Sequence, residues 1–94
     1  MKSGYGIFAG KNVTWAQLRF SPLAARWVAT QQWHSKQKGE FDKLGSYILS
    51  LPYSNDRELI MDILKFGPDV EVLEPEVLRT RVGDSIRQMV QMYK

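Results

Sequence analysis

The stretch that decides the fold of this chain is Phe66-Gly67-Pro68-Asp69-Val70-Glu71-Val72-Leu73-Glu74-Pro75. Gly67 suits the left-handed position after a helix, and Pro68 cannot continue that helix. The two valines alternate with acidic residues, which is typical of a half-buried strand. Pro75 suits the first turn of a new helix, where its missing N–H costs nothing. The stretch therefore predicts a helix end, a tight turn, a short strand and a new helix.

Length and composition indicate one domain with its own core. The 94 residues are 44% hydrophobic and include three Trp, four Tyr and four Phe. Cysteine is absent, which excludes disulfides and thiolate chemistry and is compatible with a cytoplasmic location. No apolar run approaches the ~20 residues that cross a membrane, so no membrane partner is expected. A net charge of +3 is low for a free-standing nucleic-acid-binding protein.

Hydrophobic periodicity divides the chain into seven elements. Strands are predicted where apolar and polar residues alternate, and helices where apolar residues recur every three or four positions. Ser21 followed by Pro22 marks one helix start, and Asn55 with Glu58 resembles a capping box at another. The predicted elements are strands at 12–20, 40–43, 47–53 and 70–73, and helices at 22–32, 55–66 and 75–93.

The order of these elements is βαββαβ with an additional C-terminal helix. One four-stranded antiparallel sheet with two helices on one face is the economical packing of that order. We therefore predict an α+β, ferredoxin-like sandwich over residues 12–94, preceded by a linker or an added start at 1–11. The stripe of the first helix that should face the sheet is Ala24, Trp27, Val28 and Gln31.

Catalytic and metal-binding chemistry find no support in the residue pattern. His34 is the single histidine, and no cysteine is available to complete a zinc site with it. A nucleophilic triad would need His34 between a serine and a carboxylate, and no spacing suggests one. We expect a protein without enzyme activity, metal or cofactor, in which His34 makes a local capping contact or lies at an interface.

The sheet face opposite the two helices is the first candidate for a functional surface. Trp15, Gln17 and Arg19 are predicted to point away from the helices. Neighbouring strands should add Ile48, Ser50, Glu71 and Leu73. Such a face suits either a stacking platform for bases, with an arginine for phosphate, or a protein interface. An interface, or coverage by the last helix, is favoured because only one aromatic residue lies there.

Basic residues in the first half of the chain are the second candidate. Residues 1–50 hold seven basic and two acidic side chains, whereas residues 51–94 hold six basic and eight acidic ones. This surface could meet phosphate or an acidic partner, or it could be an ordinary solvated surface. The predicted ligand- or phosphate-binding residues are Arg19, Arg26, Lys36 and Lys38.

The last predicted helix carries an apolar stripe that needs a partner. Its members are Leu78, Val82, Ile86, Met89, Val90 and Tyr93. The stripe covers this domain's own sheet or packs on another subunit, and the pattern leaves both open. We predict self-association through the apolar surface that the helices leave uncovered, with Ile86 at the interface.

Several segments of the chain occur, in the same order, in one known family. Phe66–Pro75 with Val77–Arg79 resembles the C-terminal extension domain, WCX, of bacterial WYL-domain transcriptional regulators. The other matching segments are Leu18–Pro22, Ala24–Val28, Gln32–His34, Leu51–Tyr53 and Glu58–Leu64. The resemblance extends over residues 5–93 and rests on the ordered set rather than on one diagnostic motif.

The resemblance implies a regulatory, non-catalytic domain of a cytoplasmic protein. It implies the ferredoxin-like fold, a homodimer, and a place beside the WYL barrel and winged-helix domain of a parent chain, with Tyr5–Phe8 at the junction. It also implies a nucleic-acid or nucleotide-like effector, whose site this domain would complete. Stacking or interface contacts are predicted from Trp15, Gln17, Trp33, His34, Ile48, Leu73 and Ile86. The alternatives are a stand-alone single-stranded nucleic-acid-binding module and a small-molecule-sensing module.

Overall fold

A computed structural model describes residues 13–94, which contain one four-stranded antiparallel sheet and three α-helices. The strands are β1 (Thr14–Phe20), β2 (Lys38–Phe41), β3 (Tyr47–Tyr53) and β4 (Val70–Glu74), and the helices are α1 (Pro22–Val28), α2 (Asp56–Lys65) and α3 (Glu76–Met92). A 3-10 turn, Gly67–Asp69, joins α2 to β4. The α+β class and the predicted element order are confirmed. The predicted linker at 1–11 and the junction at Tyr5–Phe8 lie outside the described residues.

The strand order across the sheet is β2-β3-β1-β4, and each neighbouring pair is antiparallel. β1 pairs along its whole length with β3, from Thr14 opposite Tyr53 to Phe20 opposite Tyr47. Successive side chains of a strand point to opposite faces. Accordingly Leu18 is fully buried while Arg19 beside it is exposed, which confirms the predicted inward and outward faces of β1.

One hydrophobic core lies between the inward face of the sheet and the helices. Its largest fully buried side chains are Phe20, Leu18, Leu49, Leu51, Leu59, Ile63, Leu78 and Val28. The last helix packs against β4 and α2. It joins the core only through its first half, since Leu78 and Val82 are buried while Ile86 is 46% exposed. α3 therefore reaches the face of the sheet opposite the core at the edge strand β4, where the Arg79 side chain bonds to Glu71, and leaves β1 and β3 uncovered on that face.

The first helix is shorter than predicted and ends at Val28 rather than Gln32. Its last turn closes early, because the hydroxyl of Thr30 donates a hydrogen bond to the carbonyl oxygen of Trp27. Ala25, which the predicted stripe did not include, is buried beside Ala24 and Val28. The residues wrongly predicted to face the sheet are Trp27, which is 54% exposed, and Gln31.

The second strand lies earlier in the chain than the predicted 40–43. It pairs with β3 from Lys38 opposite Ser50 onward. It ends at Phe41 because the Asp42 carboxylate accepts the N–H groups of Leu44 and Ser46, an arrangement that makes residues 42–46 a turn. Lys38 therefore belongs to the sheet and not to the polar connection that the sequence predicted.

The stretch at 66–75 folds as its residues indicate. Gly67 takes a φ of 58° directly after the end of α2, the left-handed conformation predicted for it. The backbone and the hydroxyl of Ser21 both donate hydrogen bonds to Asp69, which attaches this turn to the start of α1. Pro75 is the residue that caps α3, so the helix begins one residue later than predicted, at Glu76. This connection fixes where β4 enters the sheet.

Candidate functional site: the open face of the sheet

The sheet surface that points away from the core, called here the open face, is organised in two rows by the strand register. Residues opposite one another on neighbouring strands share a face and lie close together. The first row, from β2 to β4, is Lys38, Ser50, Gln17 and Glu74. The second row is Glu40, Ile48, Arg19 and Glu71. Trp15 lies beyond the first row, opposite Pro52.

A β-bulge changes the composition of this face. Gln17 pairs with Glu74 while its neighbour Leu18 pairs with Val72, so Leu73 is an extra residue without an opposite partner. Glu74 therefore takes the position opposite Gln17, which simple alternation assigned to Leu73, and Leu73 is half-buried at the bulge. The open face is therefore more acidic than simple alternation predicts, because it gains Glu74.

A shallow cavity lies around the first row. It encloses about 260 Å3 and is lined by Trp15, Ala16, Gln17, Lys38, Ser50 and Glu74. The Lys38 ammonium lies 5.5 Å from the centre of the Trp15 ring, a cation–π contact between β2 and β1. The indole is still 44% exposed. The cavity thus offers one aromatic ring together with an amide, a hydroxyl, a carboxylate and an ammonium group.

The second row is closed by an ionic cluster. Glu71 accepts hydrogen bonds from Arg19 at 3.1 Å and from Arg79 of α3 at 3.0 Å. Arg79 also donates to the carbonyl oxygen of Val72 at 2.7 Å, so α3 is attached to the outer edge of β4. The hydrogen bonds from Arg79, and secondly from Arg19, hold the pKa of the Glu71 carboxyl below its usual value against an opposing effect of burial. The charge of Arg19 is therefore largely compensated.

The four basic residues predicted to bind an anion do not form one group. Arg19 and Lys38 lie on the open face. Arg26 is exposed on α1, whose buried residues pack on the other side of the sheet. Lys36 is exposed in the loop between α1 and β2. Because Glu40, Glu71 and Glu74 share the open face with the two cations there, this face is not a basic surface.

The loop after α1 holds two further predicted site residues, Trp33 and His34, against the core. Trp33 is half-buried, and its ring lies 5.7 Å from the centre of the Phe20 ring and 5.9 Å from that of Phe66. The side-chain oxygen of Gln37 accepts the backbone N–H groups of both Trp33 and His34. Trp33 and His34 therefore stabilise the sheet at the Phe20 end of β1, whereas Trp15 lies near the other end of that strand. Neither residue contributes to the open face.

His34 is 5% exposed and makes a local capping contact. Its Nδ1 accepts the backbone N–H of Lys36 at 2.9 Å. Burial, and secondly the positive charge of Lys36, lower the pKa of His34 from its usual value. The folded protein therefore favours the neutral imidazole, and protonation of Nδ1 would remove the acceptor.

This histidine should make stability fall in mild acid. The unfolded chain binds a proton near pH ~6.5, whereas the folded chain binds it only at lower pH, so stability is complete above that pH and is lost as the pH falls through it. We expect a lower melting temperature at about pH 5.5 than at about pH 7.5. His34→Asn keeps an acceptor oxygen without titrating, and its melting temperature should vary less over this interval. Equal slopes in the two proteins would contradict the assignment.

Several residues that shape the site were missed in the sequence. Glu74 enters the open face through a bulge that no local pattern marks. Gln37 resembles any polar loop residue, and its role depends on two amides that folding brings to it. Phe66 was predicted only as a helix end, although it stacks on Trp33.

The described part of the chain contains neither a cluster of metal-binding side chains nor a helix that could cross a membrane. Within residues 13–94, no group of three His, Cys, Asp or Glu side chains gathers in a way that could hold a metal ion. None of the helices in this range combines the length and the apolar character that a membrane crossing requires.

The chain is similar to a known domain family and to part of a known regulator. The family model of the WCX domain matches residues 12–90, most of the chain. A curated relative, the uncharacterized HTH-type transcriptional regulator YobV of Bacillus subtilis (strain 168), is 38% identical over 55 residues. That alignment covers 58% of this chain and 17% of the regulator, so the chain spans only a small part of its relative.

Proposed function

Because this chain belongs to the WCX domain family, we propose that it is the non-catalytic regulatory C-terminal domain of a WYL-type transcriptional regulator. Its role in this proposal is to assist dimerisation and to complete the site of a nucleic-acid or nucleotide-like effector in the cytoplasm. The observation that carries the proposal is the open face, a sheet surface with an exposed tryptophan and converging polar groups that α3 leaves uncovered on β1 and β3.

The fold supports the placement of such a face. Strand order β2-β3-β1-β4 with crossover helices α1 and α2 is what a ferredoxin-like sandwich requires, and we propose that classification for the domain. In this arrangement the helices cover one side of the sheet only. The other side is then available to the WYL barrel and the winged-helix domain of the parent chain as partners.

The composition of the open face favours contact with the base of an effector over contact with its phosphate. Trp15 offers a ring for stacking, and Gln17 and Ser50 offer hydrogen-bonding groups beside it. Arg19 is already bound to Glu71, so a phosphate would have to displace a carboxylate. Arg26 on α1 and Lys36 in the following loop are exposed away from the open face. We therefore propose that these two residues take no direct part in the wall of the effector site that the open face forms.

A stand-alone module for single-stranded nucleic acid is the weaker candidate. Such proteins combine a positive groove with several aromatic rings on which successive bases stack. Among residues 13–94, the open face presents one exposed aromatic residue, Trp15, and its cations are matched by carboxylates. A shared site, in which a second domain supplies the phosphate contacts, agrees better with this surface.

Replacing Trp15 with alanine in the full-length regulator should weaken binding of a short single-stranded DNA oligonucleotide roughly tenfold, since one base–aromatic stack contributes ~1–3 kcal/mol. Fluorescence anisotropy would measure the affinity, and a reporter gene the regulatory response. Trp27→Ala is the matched control, because it removes a similarly exposed tryptophan, 54% against 44%, from α1 on the other side of the sheet. Equal affinities of wild type and Trp15→Ala, with normal melting curves, would remove this face from the effector site.

A further inference from the structure

The second half of α3 continues a buried stripe into solvent. Leu78 and Val82 are buried in the core, but one and two turns later Ile86 is 46% exposed and Val90 is 48% exposed. Met89 on the same side is 40% exposed. These residues, with Met92 and Tyr93 at the helix end, form a ridge that is defined here as the apolar ridge of α3.

Beside this ridge lies an open groove between α2 and α3, lined by three apolar and six polar or charged residues. It is open to solvent, measures about 690 Å3, and has Ile60, Met61 and Leu64 of α2 as its apolar lining residues. Its polar lining residues, called here the rim, are Asn55, Asp56, Arg57, Arg81, Asp84 and Ser85. Since α3 is one wall of the groove and also carries the ridge, the two features form one continuous surface.

We infer that the apolar ridge of α3 in a second copy of this chain fills the α2–α3 groove, and that the exchange is reciprocal. The inference rests on the dimer contained in the proposed function and specifies its contact surface. A two-fold interface requires a self-complementary surface, because the same residues meet from both sides. The apolar side chains of α2 in the groove and those of the α3 ridge lie side by side, so across a two-fold axis each set can meet the other.

The charges around the groove favour the same arrangement. Both rim carboxylates are already paired, Asp56 with Arg81 of the rim at 2.7 Å and Asp84 with Arg87 outside it. Arg57 forms no ion pair within residues 13–94. If the two α3 helices run antiparallel, each C-terminus, which carries partial negative charge, arrives at the Arg57 end of the other groove. The partner helix thus brings the charge that this rim lacks.

The side chains at the contact suit a helix-in-groove interaction. Met61, which lines the groove, is 64% exposed, and the ridge adds Met89 and Met92. Methionine fills irregular apolar gaps because its side chain is unbranched and polarizable. Burial of these side chains on association removes from water an apolar surface that monomeric proteins seldom leave exposed. A second copy of the chain therefore satisfies both the groove and the ridge.

Light scattering over a range of concentrations tests the contact surface with this 94-residue chain. Wild type should be a dimer, and Ile86→Asp and Met61→Glu should each raise the dimer dissociation constant at least about tenfold, because each places a charge in an apolar contact. Both positions are exposed, so melting curves of diluted protein should stay near wild type. Val77→Asp is the control: this residue is 61% exposed on the first turn of α3, away from the ridge, and should leave the dimer intact.

Cross-linking shows which surfaces meet, and the chain is suited to it because it contains no cysteine. A mixture of Met61→Cys and Met92→Cys proteins should form a mixed disulfide between copies under mild oxidation. Leu44→Cys, placed in the exposed turn between β2 and β3, should form no mixed disulfide with Met61→Cys or with Met92→Cys. A dimer that persists in both charge variants, or that yields no mixed disulfide, would overturn the inference.

The results also separate this inference from the proposed function. A wild type that stays monomeric at every concentration would overturn the reciprocal contact, while the oligonucleotide affinity of Trp15→Ala would still report on the effector site. A dimer that appears only in the full-length regulator and ignores Ile86→Asp would assign the contact to another domain, and would equally overturn the inference.

Discussion

Replacing Phe20 with alanine is expected to lower the free energy of unfolding by about 3–5 kcal/mol, the range found for large aromatic deletions in protein cores. Phe20 is fully buried at the end of the central strand β1. Its ring meets the ring of Trp33 edge-on at 5.7 Å and that of Phe66 edge-on at 5.2 Å. The substitution therefore removes the common neighbour of two aromatic side chains from different elements.

The surrounding structure cannot easily close the resulting cavity. Trp33 is held by the hydrogen bonds that Gln37 and Gln31 make to its backbone and indole N–H groups. Phe66 is the C-cap residue of α2, so its position is tied to that helix. Since a whole domain is stable by only about 5–15 kcal/mol, the variant should lose a large fraction of its stability.

Urea denaturation followed by circular dichroism measures this loss, and Phe41→Ala is the matched control. The control deletes the same atoms from a residue that is 59% exposed and whose ring lies 5.1 Å from that of Tyr47. It should cost less than about 1 kcal/mol, as surface substitutions usually do. Similar losses in the two variants would show that the aromatic cluster contributes no more to stability than an exposed ring.

The fold could be predicted where a local signal and the hydrophobic pattern agreed. Asn55 caps α2 as its position indicated, and Gly67 takes the left-handed conformation expected of a glycine after a helix. Alternation in β1 correctly assigned Leu18 and Arg19 to opposite faces. Each of these features depends on a residue and its immediate neighbours, which is the information that a single sequence contains.

Features that depend on contacts across the fold were missed or misplaced. The end of α1 at Val28 follows from hydrogen bonds at Thr30 and from a loop held by Gln37. The start of β2 at Lys38 follows from its register with β3. For the candidate site, the outward direction of Trp15 and Gln17 was predicted, but the pairing of Arg19 with Glu71 and the bulge at Leu73 were not. The excess of basic residues in the first half of the sequence therefore overstated how basic the candidate site is.

Two Gly→Ala substitutions should have opposite effects on stability, and the first of them is the larger. In Gly39→Ala, a methyl group built on β2 would lie 1.8 Å from the hydroxyl oxygen of Tyr47 and 2.3 Å from the adjacent ring carbon. Tyr47 is 8% exposed and belongs to the core, so its ring must be displaced. Overpacking of this kind costs typically about 1–3 kcal/mol. The sequence gives no sign of this contact, because residues 36–39 read as a polar connection.

Gly83→Ala is the matched substitution with the opposite sign. Gly83 lies inside α3, and a methyl group there would find only the end of the Arg87 side chain, at an ordinary contact distance of 3.8 Å. Alanine should therefore stabilise the domain by roughly 0.5–1 kcal/mol, because it restricts the unfolded chain and favours the helix. Thermal melting of both variants beside wild type measures the two changes. If Gly39→Ala melted at or above the wild-type temperature, Tyr47 would have to leave its place beneath β2 without cost, and its packing there would not be a source of stability.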